Sequence, residues 1–131
     1  MTLLDLALND VPELKTVEAG TEVEVQLASF EKTESKAGKP MLSCRLQITS
    51  EADVQAVFNY LSLPVAEDDE STKNSKLRRI QRFADAFGID YSSGSIDLEA
   101  SVGKSAWVVL NEESDEEYGT RNTVKRFVTP K

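Results

Sequence analysis

Apolar and polar residues alternate along two neighbouring stretches between residues 21 and 50. Within them, residues 23–27 and residues 42–48 place an apolar side chain at every second position. This period of two is typical of strands with one buried and one solvated face. The polar residues 31–40 that separate them are rich in Lys, Glu, Ser and Gly, which predicts a loop. Together the two stretches predict a long β-hairpin.

The alternation of the first strand changes phase at Ala28 and Ser29, so that Phe30 falls out of step with Leu27. A β-bulge at this point would return Phe30 to the buried face and would bend the strand, as a small closed barrel requires. Without a bulge, Phe30 would lie on the outer face. We expect the bulge, and an outer position of Phe30 stays open as the alternative.

A third strand is predicted over residues 54–63. Both of its faces carry apolar side chains, because Val57 and Leu61 alternate with Phe58 and Tyr60. A strand that is apolar on both faces is either covered twice or presents a binding surface. The sequence does not decide which pair points outward.

A helix is predicted over residues 75–87, because apolar residues recur there at steps of three and four and form one stripe. Asn74 or Ser75 is the expected N-cap, and Gly88 is the expected stop. The basic side chains that should then project away from the core are Lys76, Arg79 and Arg82. Such a basic face is usually only solvated, and contact with phosphate is the functional alternative.

Two more strands are predicted over residues 104–111 and 120–129, joined by an acidic loop over residues 112–119. Five antiparallel strands with one helix between the third and the fourth (β-β-β-α-β-β) are the order of an OB fold. We therefore predict a mostly β, five-stranded OB-fold barrel over residues 20–131. Residues 1–19 are rich in leucine and predict a short docked helix, a mobile arm or a contact for homo-oligomerisation.

Composition excludes several classes of protein. The 131 residues suffice for one domain with a core, and no apolar run approaches the roughly 20 residues that cross a bilayer, so no membrane contact is expected. Cys44 is the single cysteine, which excludes an intrachain disulfide and fits the cytoplasm. Because the chain has no histidine, His-based catalytic and metal sites are excluded, whereas carboxylate-based catalysis stays open. No cofactor is expected.

The net charge of −8 argues against a nucleic-acid ligand, but the charges are segregated along the chain. Acidic residues are concentrated in residues 67–70 and 112–117, whereas the hairpin loop, the helix and the last strand are basic. Because salt screens charges over about 8–10 Å, local clusters decide what a phosphate encounters. An anionic ligand is therefore compatible with this acidic chain.

Binding of single-stranded nucleic acid requires cationic side chains for phosphates and aromatic rings on which bases stack. In an OB fold the ligand surface is the face of strands two and three, flanked by the one–two and four–five loops. The cationic candidates near that surface are Lys32, Lys36, Lys39, Arg45, Arg121 and Lys125. The stacking candidates are Phe58, Tyr60, Trp107, Tyr118 and Phe127, with packing in the core as the alternative for Phe58, Tyr60 and Trp107. Arg121, Lys125 and Phe127 have the same parity, so we expect them on one face of strand five.

Four segments carry a more specific pattern, namely KTESKAGKPMLSCRLQI, VFNYLSL, RRIQRFADAFGI and YGTRNTVKRF. They resemble a family of phage-encoded single-stranded DNA-binding proteins with an OB fold, long filed as a domain of unknown function. The resemblance implies binding of single-stranded DNA, without enzymatic activity, during phage DNA replication or recombination in the cytoplasm of an infected bacterium. It also implies phage or host replication and recombination proteins as further partners. The chain ends in FVTPK and lacks the acidic tail of better-known bacterial binders, so recruitment through such a tail is not expected.

Two alternative functions stay open. One is an acidic OB-like protein-interaction module, or a DNA mimic, whose carboxylates in residues 112–117 face a basic partner. If the protein is not such a module, these acids are solvated or compete with DNA for basic residues. The other is a carboxylate-dependent nuclease with Mg²⁺, which requires acids that converge from separate elements. Quenching of Trp107 fluorescence by oligo-dT, and weaker binding as salt rises, would favour the single-strand binder.

Overall fold

The computed structural model describes residues 2–51, 53–117 and 119–128. Its strands are β1 (Glu22–Glu34), β2 (Pro40–Ile48), β3 (Val57–Ser62), β4 (Ser105–Asp115) and β5 (Gly119–Val128). Its helices are α1 (Glu70–Phe87) and the short α2 (Leu98–Ser101), both between β3 and β4. The strands form one antiparallel sheet in the order β3-β2-β1-β4-β5. The prediction of a mostly β chain with its main helix after the third strand is confirmed. No described helix is long and apolar enough to cross a membrane.

The β1–β2 hairpin extends further than its apolar alternation indicates. Glu34 pairs with Pro40, so the turn comprises residues 35–39 and half of the loop predicted over residues 31–40 is strand. Residues 31–34 at the end of β1 are exposed and have no core to face, and a period of two reports burial rather than backbone pairing. Gly38 closes the turn at a φ of 78°, in the left-handed region that glycine enters without steric cost.

The expected β-bulge in β1 is present. The register with β2 shifts between Leu27 and Ser29, which leaves Ala28 as the extra residue. Phe30 is consequently buried, and its ring centroid lies 5.3 Å from that of Phe83 on α1. The prediction that a bulge returns Phe30 to the core is confirmed.

A second bulge, in β5, overturns one prediction. The β4–β5 register shifts between Val109 and Leu110, and Lys125 is the extra residue on the facing strand. A bulge reverses the parity of the residues that follow it. Phe127 therefore turns into the core while Arg121 stays on the outer face, and the prediction that these residues share one face with Lys125 is wrong.

The core lies between the inner face of the sheet and one face of α1. Phe83 of α1 is fully buried, and its ring contacts those of Phe30, Phe87 and Phe127. The sheet curls around this cluster until its two outermost strands, β3 and β5, lie close to each other. No ladder joins β3 to β5 within the described part of the chain. The two outermost strands are therefore neighbours across a seam.

Helix α1 begins earlier than its apolar stripe predicts. The carboxylate of Asp69 accepts a hydrogen bond of 2.7 Å from the backbone N–H of Thr72, so Asp69 is the N-cap and the prediction of Asn74 or Ser75 is wrong. The first turns of the helix are polar, and apolar periodicity cannot detect them. The predicted stop at Gly88 is confirmed, because its φ of 67° ends the helix in the left-handed conformation.

The last hairpin also differs from its predicted extent. Strand β4 continues to Asp115 and pairs Glu113 with Arg121, so most of the acidic loop predicted over residues 112–119 is strand. The side chains of residues 112–117 are all exposed. Backbone ladder bonds hold this acidic tip in place where burial does not.

The N-terminal segment, residues 2–14, is exposed along its length. It contains a 3-10 turn, Leu8–Asp10, that buries no residue, so the docked helix is not the arrangement observed. Its large apolar side chains are each more than half exposed, and they are Leu3, Leu4, Leu6, Leu8, Val11 and Leu14. Attachment to the sheet begins only after this segment.

Two contacts anchor the chain where it reaches the sheet. Lys15 forms a parallel bridge with Val54, just before β3. The backbone N–H of Val17 donates to Oδ1 of Asn122 at 2.8 Å, and Nδ2 of Asn122 donates to the carbonyls of Val17 at 2.7 Å and Asn111 at 3.1 Å. The buried Asn122 amide of β5 therefore ties the chain at Val17 to both β4 and β5.

Candidate functional site

The outer face of β2 and β3 carries one arginine and two aromatic rings. Arg45 lies directly opposite Phe58 in the ladder, and Tyr60 follows two residues further along β3. Val57 and Leu61, of the opposite parity, are buried. Phe58 and Tyr60 are consequently the outward pair, with 53% and 55% of their surface exposed. The structure thus decides the question that the doubly apolar strand left open.

A cleft of about 520 Å³ opens over this face toward β5, and we call it the aromatic cleft. Its lining residues are Arg45 of β2, Phe58 and Tyr60 of β3, Arg121, Asn122 and Thr123 of β5, and Leu14, Gln55 and Ala56 from the segments beside them. None of these residues is acidic. Two guanidinium groups and two aromatic rings therefore face one space, because the curl of the sheet brings β5 next to β3.

The charge of Arg121 is only weakly neutralised by its neighbour. Nη2 of Arg121 lies 3.6 Å from Oε2 of Glu113 on β4, and the two side chains are 56% and 54% exposed. An ion pair that is long and solvated contributes little free energy. The guanidinium therefore remains available to an anion in the aromatic cleft.

A second cleft, of about 380 Å³, lies on the other side of Tyr60, and we call it the helix-side cleft. Its lining residues are Asn59, Tyr60 and Leu61 of β3, Arg79 and Arg82 of α1, and Val124, Lys125, Arg126 and Phe127 of β5. Four of these residues are basic and none is acidic. Tyr60 lines both clefts, so they adjoin along the seam between β3 and β5.

Six of the predicted site residues line the two clefts along this seam. Arg45, Phe58, Tyr60 and Arg121 line the aromatic cleft, and Lys125 and Phe127 line the helix-side cleft. They come from three strands, and sequence parity alone places only those of β2 and β3 together. The structure adds β5 to the same surface.

Phe127 reaches the helix-side cleft but belongs mainly to the core. Its ring centroid lies 5.3 Å from that of Phe83 and 6.2 Å from that of Phe87, in edge-on geometry. A ring packed in this way does not present a free face to a base. Phe127 is therefore a core-packing residue that only borders the cleft.

The three hairpin lysines do not line the aromatic cleft. Lys36 and Lys39 are exposed in the β1–β2 turn, beyond the end of the paired strands. Lys32 has the inward parity of Phe30 and lines a separate cleft that also contains Glu31 and Glu99. The structure therefore separates these lysines from the outward rings of β3.

Trp107 is 49% exposed on the outer face of β4. Its ladder partners are Glu24 of β1 and Val128 of β5, and β1 separates β4 from β2 in the sheet. Trp107 lines neither the aromatic cleft nor the helix-side cleft. Tyr118, the remaining candidate, lies outside the described residues.

The sequence was also compared with known protein families. The model of a family described as "Protein of unknown function (DUF669)" matches residues 4–129. The chain belongs to the DUF669 family. No curated protein matches the DUF669 chain by sequence. The family description states no ligand, so the two clefts are the source of functional information for this DUF669 protein.

Three basic residues of the DUF669 chain were missing from the predicted site. Arg79 and Arg82 lie three residues apart and share one face of α1, but only the position of the helix aims that face at β3 and β5. Arg126 is aimed at the helix-side cleft by the bulge at Lys125. A grouping of basic residues on the helix was visible in the sequence, whereas its proximity to β5 was not.

Lys76 differs from the other basic residues of α1 and corrects the expectation that it projects away. Its Nζ lies 2.7 Å from Oδ2 of Asp68 and 3.5 Å from the carbonyl oxygen of Leu63. The hydrogen bond from Lys76, together with one from the backbone N–H of Val65, lowers the pKa of the Asp68 carboxyl below its usual value. In this DUF669 protein Lys76 is therefore paired with Asp68 and is not a free cation.

Metal ligands and the cysteine thiol are two further features of the described residues. They contain no group of three or more Cys, Asp or Glu side chains that could hold a metal ion. Burial raises the pKa of the Cys44 thiol to about 12, and a buried neutral thiol is a poor nucleophile. The β3–β5 seam of this DUF669 protein carries cationic side chains and two exposed aromatic rings.

Proposed function

We propose that this protein binds single-stranded DNA without sequence specificity and without enzymatic activity, in phage DNA replication or recombination. The observation that carries the proposal is the aromatic cleft, where Phe58 and Tyr60 lie exposed beside Arg45 and Arg121. Stacking of a base on an aromatic side chain contributes about 1–3 kcal/mol, and arginine supplies contacts to phosphate. Both kinds of contact converge in this cleft.

We also infer that the curled sheet is an OB-fold barrel. Five antiparallel strands, a helix between β3 and β4, and close approach of β3 to β5 support this assignment. The bulges at Ala28 and Lys125 bend their strands in the manner that closure of a small barrel requires. The face that carries Phe58 is then the usual ligand face of the fold.

The geometry favours an unpaired strand over a duplex. Ring faces such as those of Phe58 and Tyr60 can stack only on bases whose own faces are free, and neighbouring base pairs cover these faces in a duplex. Every base has such a face, so stacking tolerates any sequence. The lining of the aromatic cleft contains two side-chain amides, those of Gln55 and Asn122. The Asn122 amide already donates to the carbonyls of Val17 and Asn111, so it is not available to recognise a particular base.

Fluorescence anisotropy of a labelled oligo-dT tests this function. Phe58→Ala and Tyr60→Ala should each weaken binding roughly 5- to 150-fold, the range that corresponds to 1–3 kcal/mol. Trp107→Ala is the matched control, because Trp107 is similarly exposed on the outer face of the sheet but lies outside both clefts. Binding should also weaken as salt rises, since phosphate contacts release counterions.

Three results would contradict the proposal. The first is absence of binding at low salt, and the second is equal loss in the Trp107, Phe58 and Tyr60 variants. The third is cleavage of the labelled strand when Mg²⁺ is added, which would indicate a nuclease.

The acidic protein-interaction module is the second candidate. It is favoured by the exposed carboxylates of residues 112–117 at the end of the β4–β5 hairpin. It predicts that oligo-dT does not bind at any salt concentration and that a basic protein does. Neutralising these acids would then weaken partner binding, whereas the Phe58 variant would have no effect.

A further inference from the structure

Four basic side chains from two different elements surround the helix-side cleft. Arg79 and Arg82 come from α1, and Lys125 and Arg126 come from β5. All four are exposed, and none forms an ion pair or a side-chain hydrogen bond with a described residue. Like charges that share one cleft repel each other. A polyanionic ligand would remove this repulsion, and the cleft has no carboxylate of its own to do so.

The bulge in β5 adds one of these four charges to the cleft. In a regular strand two consecutive side chains point to opposite faces, so one of Lys125 and Arg126 would face the core. Because Lys125 is the extra residue, both are exposed and both line the cleft. Bulges commonly re-aim side chains next to functional sites.

Tyr60 connects this cluster to the aromatic cleft, because its ring lines both. A base stacked on Tyr60 leaves the sugar–phosphate backbone at the boundary between the two clefts. Beyond that boundary the rings end, since Phe127 is packed against Phe83 and Phe87. The helix-side cleft can therefore contact phosphates but offers no second stacking platform.

We propose that the bound single strand continues past Tyr60 into the helix-side cleft, where Arg79, Arg82, Lys125 and Arg126 form a phosphate-binding subsite. This inference rests on the proposed function and extends it. The aromatic cleft supplies stacking, and the helix-side cleft supplies contacts whose strength depends on salt. The path of the strand then follows the β3–β5 seam onto the face of α1.

The dependence of affinity on salt separates the two clefts. For a single strand, the slope of the logarithm of the binding constant against the logarithm of salt concentration changes by about 0.7 for each phosphate contact. The double variant Arg79→Gln/Arg82→Gln should therefore make this negative slope shallower by about 1.4. Phe58→Ala should weaken binding and leave the slope unchanged, because stacking releases no counterions.

The chain provides its own matched control in Arg78. It carries the same charge on the same helix and is exposed, but it does not line the helix-side cleft. Arg78→Gln should leave the slope unchanged. An independent variant on the other element, Lys125→Gln/Arg126→Gln, should reproduce the loss, and circular dichroism of each variant should match that of the wild type.

The length of the oligonucleotide gives a second measurement. On an oligo-dT just long enough to fill the aromatic cleft, the Arg79→Gln/Arg82→Gln variant should bind like the wild type. On longer oligo-dT it should bind more weakly, and the difference should appear at one threshold length.

The possible failures are distinguishable. If both double variants keep the wild-type slope while Phe58→Ala weakens binding, the subsite is wrong and the proposed function stands. If Arg78→Gln makes the salt-dependence slope as shallow as the double variants do, the effect is one of overall charge and the subsite is again wrong. If the wild type does not bind oligo-dT, both proposals are overturned together.

Discussion

Single side chains decide how much positive charge the two clefts present. Lys76 donates to Asp68 and is neutralised, whereas Arg79, three residues further along α1, forms no ion pair with a described carboxylate. Arg121 is intermediate, because its guanidinium lies 3.6 Å from the exposed carboxylate of Glu113. The charge that a ligand encounters is therefore set by local pairing and not by the net charge of the chain.

Replacing Glu113 by Gln removes the carboxylate that competes for Arg121. We expect Glu113→Gln to tighten binding of oligo-dT roughly 1.5- to 5-fold, because an exposed ion pair contributes about 0.2–1 kcal/mol. Anisotropy titration at low salt measures the change. Glu112→Gln is the control, since it removes the same charge one residue away; equal tightening in both variants would show a general charge effect instead.

At the scale of elements, caps and bulges determine what each strand or helix presents. The bulge at Ala28 turns Phe30 inward, and the bulge at Lys125 turns Phe127 inward while it exposes Lys125 and Arg126. Arg79 lies one turn before Phe83 on α1, so burial of Phe83 in the core holds Arg79 and the neighbouring Arg82 beside the seam. The position of the clefts is thus a consequence of the packing of α1 and β5.

The end of α1 offers a test of this element that is independent of ligand. Gly88 has a φ of 67°, and a Cβ added there would meet no atom within 4 Å, so the cost of a side chain is purely conformational. Gly88→Ala should lower the free energy of unfolding by about 1 kcal/mol, and Gly88→Asn by less, because asparagine tolerates the left-handed region. Urea denaturation measures both, and an equal loss in the two variants would argue against a conformational cause.

Prediction of the elements from the sequence was accurate where burial and backbone structure coincide. The bulge before Phe30 and the stop at Gly88 were predicted, because each interrupts a local pattern. The start of α1 and the ends of β1 and β4 were not predicted. This helix turn and these strand ends are polar and exposed, and hydrophobic periodicity carries no information about them.

At the scale of the whole molecule, opposite charges occupy different regions of one acidic surface. The basic side chains line the β3–β5 seam, and acidic residues extend along the β4–β5 tip. A net charge of −8 opposes the approach of any polyanion, so productive binding depends on short-range contacts within the seam. The molecule should therefore discriminate against ligands that cannot use the rings.

A comparison of single-stranded and duplex DNA tests this discrimination. An oligonucleotide should bind at least about tenfold more tightly than a duplex of the same length, because the duplex cannot stack on Phe58 and Tyr60. Competition of each unlabelled DNA against labelled oligo-dT measures the ratio. The Phe58→Ala/Tyr60→Ala variant should lose most of this preference. Equal affinity of the wild type for both forms would mean that phosphate contacts alone drive binding.

The sequence by itself determined the number and order of the strands, the place of the main helix, the long hairpin and the outward position of Arg45. These features follow from alternation, helical spacing and turn residues, each of which acts within a few neighbouring positions. Only the tertiary structure decided that Phe58 and Tyr60 point outward, that Trp107 lies away from them, and that a helix and β5 complete the seam. The physical reason is that exposure of a side chain on a doubly apolar strand, and the meeting of elements distant in sequence, depend on how the sheet curls around its core.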